Sequence, residues 1–405
     1  MQGNGCIFDE VVDRRGTNCG RWDTMDRKYN RSNMIHLGVA DMDFKSPDAI
    51  IQSFQNILDR GVFGYTDLND AFYTSIQSWM KRRHHSDIPR EWIVFCPRIN
   101  ISAGICVETF TEENDEVIIN TPSYGPLYQA VVKNHRRVLE NPLIQDGTSY
   151  RVDFDHLEKI VTERTKMFVL CSPHNPTGSV WTKEELEKIG SFCKRHNLLL
   201  FVDEIHSDIL AEGTSFVSAM ELSETVKERL VLATSLTKTF NIPGVIVAYM
   251  VIPNDAIRAG ICGKIDQIGM HNPTIFAVSA VESGYMHCDT WYEAMLAYIN
   301  ENERFTRAYF QERFPQLTIM KRDATYLLWI DYRALGCSEE ELEKWFLEEA
   351  NVSVYMGTVF GEAGRGFIRM NIASPRSVLK EAFDRMARVY GKLEHKDIEL
   401  IQLNG

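Results

Sequence analysis

Five short stretches of this 405-residue chain are apolar at every position: Val117-Ile118-Ile119, Met167-Phe168-Val169-Leu170, Leu198-Leu199-Leu200-Phe201-Val202, Leu230-Val231-Leu232 and Val245-Ile246-Val247. A strand with one wet face alternates apolar and polar residues, so an uninterrupted apolar run marks a strand covered on both faces. Between two of these runs lies an amphipathic helix. Thr182 and Glu185 form its capping box, Leu186, Ile189 and Cys193 share one face, and His196-Asn197 ends it. Strand, helix and strand in this cadence predict an α/β domain of three αβα layers around a mostly parallel sheet. Ligands of such sheets collect in the loops at the carboxyl ends of the strands.

The C-terminal third reads differently. A second capping box, Ser338 with Glu341, precedes Leu342, Trp345 and Phe346. A short strand, Phe367-Ile368-Arg369-Met370-Asn371-Ile372, leads to a final helix opened by Pro375. We expect a large domain over 45–287 and a smaller α+β domain built from 1–44 and 288–405. No internal repeat or low-complexity stretch interrupts either part.

Composition excludes several classes. With a formal net charge of −12, the chain is a poor match for nucleic acid, whose phosphates attract a basic surface. The basic run Lys81-Arg82-Arg83 before His84-His85 reads as a solvated helix end. The longest apolar run, Val245 to Ile252, is far short of the roughly 20 residues a membrane-spanning helix needs. The start, Met1-Gln2-Gly3-Asn4-Gly5-Cys6, lacks the basic and apolar regions of a signal peptide. The nine cysteines are scattered, odd in number and free of Cys-x-x-Cys pairs. That pattern predicts reduced thiols in a cytoplasmic protein.

Four strand-end loops carry candidate chemistry. Asp203-Glu204-Ile205-His206-Ser207-Asp208 follows Val202, where a buried carboxylate needs a cationic partner. Ser235-Leu236-Thr237-Lys238-Thr239-Phe240 follows the next strand, Ser172-Pro173-His174-Asn175-Pro176-Thr177-Gly178 follows Leu170, and Thr121-Pro122-Ser123-Tyr124 follows Ile119. Taken singly, each has a structural reading: a turn, a surface lysine, a helix cap, a core ring. A metal centre around His206 lacks a second histidine at ligand spacing. Taken jointly, they match the needs of pyridoxal 5′-phosphate. Its aldehyde reacts with a lysine amine, its pyridine nitrogen needs an aspartate to stay protonated, its phosphate seeks hydroxyls and helix amides, and its ring gains from an aromatic neighbour.

On these residues the sequence resembles the fold type I pyridoxal-phosphate enzymes of the aspartate aminotransferase superfamily, over nearly its whole length. The resemblance implies a pyridoxal-phosphate transferase-like fold. In it Lys238 bonds the cofactor, Asp203 pairs with the pyridinium, Asn175 bonds the ring hydroxyl and Tyr124 stacks on the ring. Ser235, with the first amides of a helix at Ile99 and Asn100, serves the phosphate, and His206 belongs to the cofactor side. Arg369 grips the substrate α-carboxylate, a bidentate task suited to guanidinium, beside Ala40 and Tyr124. Tyr65, in Phe63-Gly64-Tyr65-Thr66, reaches the phosphate of a neighbouring subunit, which implies a homodimer with shared active sites.

Within that superfamily, four motifs resemble the cystathionine β-lyase and cystalysin-like C–S lyases. They are Gly16-Thr17-x-x-x-Arg21-Trp22-Asp23, Val39-Ala40-Asp41-Met42-Asp43-Phe44, Asp203-Glu204-Ile205-His206-Ser207-Asp208 and Lys238-Thr239-Phe240-Asn241-Ile242-x-Gly244. Aminotransferases of the superfamily usually carry tyrosine at the place of His206 and an arginine soon after the glycine matching Gly244; Val245-Ile246-Val247 has none. The chain departs from the pattern at Arg98, where a glycine usually follows proline, and in the loop Ile209-Leu210-Ala211-Glu212-Gly213-Thr214. Gly361-x-x-Gly364-x-Gly366 imitates a nucleotide loop but precedes a strand, the wrong context for one. The expected reaction takes a Cα proton onto Lys238, expels a thiolate from Cβ, and releases pyruvate and ammonia from L-cystathionine or a cysteine-type substrate. The alternatives are an aminotransferase, which diverges after proton removal, and a protein that keeps the fold without turnover.

Overall fold

The computed structural model describes residues 6–270 and 272–394; Met1 to Gly5, the start of the segment read above as lacking a leader, lie outside the described residues. The chain forms two compact units, one of Ser46–Ala294 with Asp323–Thr325, the other of Met1–Lys45, Met295–Arg322 and Tyr326–Gly405.

The larger unit is built on seven strands, β1 (Ile93–Cys96), β2 (Glu116–Thr121), β3 (Arg137–Pro142), β4 (Thr165–Cys171), β5 (Leu199–Asp203), β6 (Leu230–Thr234) and β7 (Ala248–Val251). Their order in the sheet is β1-β7-β6-β5-β4-β2-β3. All pairings are parallel except those of β7, which runs against both β1 and β6. Reversing direction twice leaves β1 parallel to β6, so the carboxyl ends of six strands share one edge. The helices of this unit include α1 (Asp70–His84), α2 (Ile99–Phe110), α3 (Gly125–Val132), α4 (Lys183–Arg195), the single turn α5 (Leu236–Thr239), α6 (Asp255–Gln267) and α7 (Ile275–His287). One sheet face, with Val117, Val169, Phe201, Val231 and Met250, packs in a single cluster with Ala103, Ile105 and Val107 of α2 and Ile261 of α6. The alternate residues Phe168, Leu200, Val202 and Leu232 are buried as well. Burial on both faces is the physical reason their runs are apolar throughout.

Local signals in the sequence come out in detail. Both capping boxes form, Thr182 with Glu185 and Ser338 with Glu341. Gly190 lets α4 approach its neighbour closely, since a Cβ there would sit 2.3 Å from Val226 Cγ2. Two expectations fail. Val245-Ile246-Val247 is no strand: a 3-10 turn opened by Pro243 runs through Val245, and Ile246 is left-handed at φ 59°, so β7 starts only at Ala248. The basic run is only partly a solvated helix end. Arg82 and Arg83 pair with Asp289, Lys81 pairs with Asp87, and His84 is buried against Asp208.

The division between units also lies later than the expected 287/288. The 25-residue helix α8 (Asp289–Arg313) gives its first turns to the larger unit, where Tyr292 Oη donates to Asp208 O at 2.7 Å. The tripeptide Asp323–Thr325 belongs there too, through the Asp323 and Ala324 amides on Gly178 O and the Thr325 amide on Ile209 O.

The smaller unit holds an antiparallel sheet of β8 (Thr318–Ile319), β9 (Leu327–Asp331), β10 (Tyr355–Met356) and β11 (Phe367–Asn371), in the order β8-β9-β11-β10. Helix α9 (Arg376–Val389) follows Pro375, and Ile35–His36 pairs in parallel with Val352–Ser353. The glycine-rich segment before β11 makes two 3-10 turns, Gly357–Phe360 and Glu362–Gly364. A Cβ on Gly357 would lie 1.8 Å from Gly364 O, so the glycines serve close backbone approach within this unit.

Candidate active site

The shared carboxyl edge of the sheet gathers most of the singled-out residues. Asp203 is the last residue of β5, in register between Cys171 of β4 and Ala233 of β6. The loop carrying Asn175 therefore leaves the sheet on one side of Asp203, and the turn carrying Lys238 on the other. Ser172 N donates to Asp203 O at 2.9 Å and Glu204 N to Ala233 O at 2.8 Å, which ties the three strand ends together. Asn175 is buried in a turn closed by His174 N on Ser179 O and Gly178 N on His174 O. His174 in that turn is held neutral, because burial pulls its imidazole down to about 3.

Lys238 sits in α5, a turn started by Ser235. Ser235 Oγ accepts from Thr237 N at 3.0 Å and donates to Val247 O at 2.6 Å, so the hydroxyl expected at the phosphate also caps the turn. Tyr124 occupies the N-cap of α3 and packs against the sheet cluster. Ile99 opens α2 at the end of β1 and is buried; Asn100, next to it, is exposed and faces a groove of about 600 Å³ lined also by Gly104, Gln129 and Lys264. His206 is buried two residues beyond Glu204. Tyr65 stands apart, 100% exposed beside exposed Val62 and Phe63.

The electrostatics centre on Asp203. Burial pushes its carboxyl up to about 7, against the opposing pull of the Ile205 amide, which donates to Oδ1 at 3.0 Å, and of the Lys238 cation. A carboxyl in that state is only partly ionised at neutral pH, and further positive charge beside it favours the carboxylate. Two hydroxyls at the same edge, Thr121 Oγ1 and Ser172 Oγ, are buried with no hydrogen-bond partner among the described residues. Both belong to strand-end loops singled out in the sequence, but neither gains a role there, since nothing local sets these hydroxyls apart from their neighbours. No group of three or more metal-ligating side chains occurs among the described residues.

In the smaller unit, Arg369 lies buried on β11 between the rings of Tyr355 and Phe360, with centroids 5.2 and 4.6 Å from its guanidinium. Its Nη2 donates to Gly38 O at 2.8 Å. Asn371 Nδ2 donates to Val39 O at 2.7 Å and Asp41 O at 2.6 Å, and Tyr326 Oη to Ala40 O at 3.0 Å. Four successive carbonyls, Gly38 to Asp41, are thus held by side chains of β11 and by that of Tyr326, which immediately precedes β9. From the other side Arg21, fully buried, donates to Asp41 O and lies 3.2 Å from Asp43, while Trp22 Nε1 donates to Asp43 Oδ1. Asp23 gathers the amides of Gly16, Thr17 and Cys19. The first two sequence motifs form a clasp that fixes the segment containing Ala40.

A buried carboxyl, a lysine in the turn after the adjacent strand, an asparagine turn, unpartnered hydroxyls and a helix amino end form a donor set that fits pyridoxal phosphate. The fold and this edge define the class. Residues 32–386 match the family described as aminotransferase class I and II, and the chain belongs to that family. It is similar to cystathionine beta-lyase PatB of Bacillus subtilis (strain 168), 34% identical over 380 residues that span 94% of this chain and 98% of the relative. Protein MalY of Escherichia coli (strain K12) is 32% identical, over 92% and 96% of the two chains. Among solved structures, cystalysin from Treponema denticola, which contains a pyridoxal 5′-phosphate cofactor, superposes with a TM-score of 0.92 at 32% identity, covering 95% of this chain and 99% of that one.

Proposed function

We propose that this chain is a pyridoxal-phosphate-dependent carbon–sulfur β-lyase. Its reaction would convert L-cystathionine and water to homocysteine, pyruvate and ammonia, or a cysteine-type substrate to its thiol or sulfide with the same two products. The observation that carries the cofactor is the buried Asp203 carboxyl, raised by burial and set beside Lys238. The named activity of PatB, together with His206 and the lack of an arginine in Val245-Ile246-Val247, supports the lyase over an aminotransferase.

When bound, pyridoxal phosphate supplies an electron sink that lets a Cα–H bond break. Asp203, as carboxylate, keeps a proton on the ring nitrogen, and Asn175 and Tyr124 hold the ring's hydroxyl and face. Ser235 and the amides at Ile99 and Asn100 take the phosphate. Arg369 orients the substrate carboxylate by a two-pronged contact, with the Ala40 segment beside it. Lys238, in its neutral form, takes the Cα proton as general base. His206 completes the cofactor side.

Tyr65 gives the reading for assembly. A tyrosine wholly exposed with Val62 and Phe63 next to it suits burial against a second copy, so we take the enzyme as a homodimer in which this arm completes the partner's phosphate site. All nine cysteines are free, which agrees with a reducing, cytoplasmic setting. No helix among the described residues is long and apolar enough to cross a membrane.

The test is a visible spectrum of purified protein with pyruvate and ammonia assays on L-cystathionine. Cofactor absorbance with equal yields of pyruvate and ammonia is expected. Absorbance with amino transfer to a keto acid and no pyruvate would replace the lyase by an aminotransferase. Lys238→Ala should lose turnover by at least about 10³-fold, as expected for removal of a group that acts both as nucleophile and base; near-normal turnover in that variant would remove Lys238 from the mechanism.

A further inference from the structure

Next to Lys238 lies a buried charged cluster that none of the roles above uses. Asp208 accepts hydrogen bonds from three side chains on two elements: Trp79 Nε1 of α1 at 3.1 and 3.2 Å to its two oxygens, His84 Nε2 at the end of the same helix at 2.8 Å, and Thr239 Oγ1 of α5 at 2.6 Å. All four side chains are buried. Trp79 is itself fixed, stacked on Tyr285 with centroids 4.9 Å apart and edge-on to Phe240 at 5.6 Å. The Asp208 backbone carbonyl accepts from Tyr292. Burial opposes charge on both partners of the Asp208–His84 pair, yet their mutual bond outweighs it, leaving the carboxyl below and the imidazole above their ordinary ranges. Each partner of the pair therefore favours its charged form more than it would in water.

Its geometry has one outlet. Thr239 follows Lys238 in α5, a single turn of four residues. A helix that short has no stability of its own, because nucleation costs more than one turn returns. Its orientation depends on what grips its two ends. At the start the grip is the Ser235 cap; at the end it is the Thr239 hydroxyl on Asp208. We propose that Asp208, fixed by Trp79 and His84, is a positioning residue for Lys238 and acts through the Thr239 hydroxyl. The proposal rests on Lys238 being the reactive amine.

Thr239→Ser and Thr239→Ala differ by one oxygen and provide the test, on the apo-protein and the cofactor-loaded enzyme. The first readout is the rate at which apo-protein captures pyridoxal phosphate covalently, trapped with borohydride and counted by mass. The second is kcat against KM on L-cystathionine, and the third is the melting temperature of the apo-protein. A displaced amine costs turnover on the order of 10²-fold, so Thr239→Ala is expected to lose about that in capture rate and kcat with KM within about threefold, while Thr239→Ser stays within about threefold throughout. Asp208→Asn, which keeps an acceptor but loses the charge, is expected to lose kcat and capture rate in the same direction. Equal capture and kcat in the Ser and Ala variants would overturn the proposal, as would losses confined to KM or melting temperature, or an Asp208→Asn variant that captures and turns over normally. Covalent capture and turnover by Lys238→Ala would instead defeat the assignment of Lys238 itself.

Discussion

A carboxyl only 2% exposed at the end of an apolar strand binds its proton more tightly than one in water, and Asp203 carries that consequence into stability. Its ordinary value of 3.8 rises to about 7 on folding, chiefly through burial. Folding therefore favours the protonated form. The associated stability is complete below about pH 4 and is lost as pH rises through about 7. Glu204, raised from 4.5 to about 7 by burial, acts with the same sign. The apo-protein should melt at a lower temperature at pH 8 than at pH 5, and Asp203→Asn should flatten that slope; an unchanged slope in the variant would mean Asp203 does not titrate in this range. Asp203 and Lys238 stood out in the sequence because polar clusters in the loops that follow apolar runs are conspicuous. His84 did not, since its partner Asp208 lies 124 positions away and a histidine after three basic residues resembles a helix end.

Elements show which signals are local. The capping boxes are complete within four consecutive residues, so both were readable, and Thr182→Ala should cost about 1 kcal/mol in denaturant unfolding through loss of the α4 cap. The start of β7 was misread because apolar content cannot tell an extended residue from Ile246 in its left-handed conformation. The clasp of the smaller unit was half readable. Its motifs were visible, but their purpose was not, because Arg21 meets Asp41 and Asp43 through backbone turns that spacing does not reveal. Arg21→Met should destabilise the protein by roughly 3–5 kcal/mol, the usual cost of stranding buried carboxylates. Urea unfolding measures it, and a loss below about 1 kcal/mol would assign those charges to Arg14 alone.

For the whole molecule, the exposed arm around Tyr65 leads to an assembly prediction. If Tyr65 serves a partner's site, mixing inactive Lys238→Ala with a Tyr65→Ala variant should restore activity. Random pairing makes half the dimers mixed, each with one intact site of two, so recovery approaches about a quarter of wild-type activity. No recovery after subunit exchange would confine each site to its own chain. Apolar periodicity and strand-end chemistry, both written over a few neighbouring residues, already decided the α/β class, the parallel edge and the strand-end loops that carry Asp203 and Lys238. Folding alone decided the antiparallel turn of β7, the membership of Asp323–Thr325, the clasp on Ala40 and the cluster holding Thr239. Those depend on which distant side chains burial brings within hydrogen-bond reach, and a long-range contact leaves no period or spacing in a single chain.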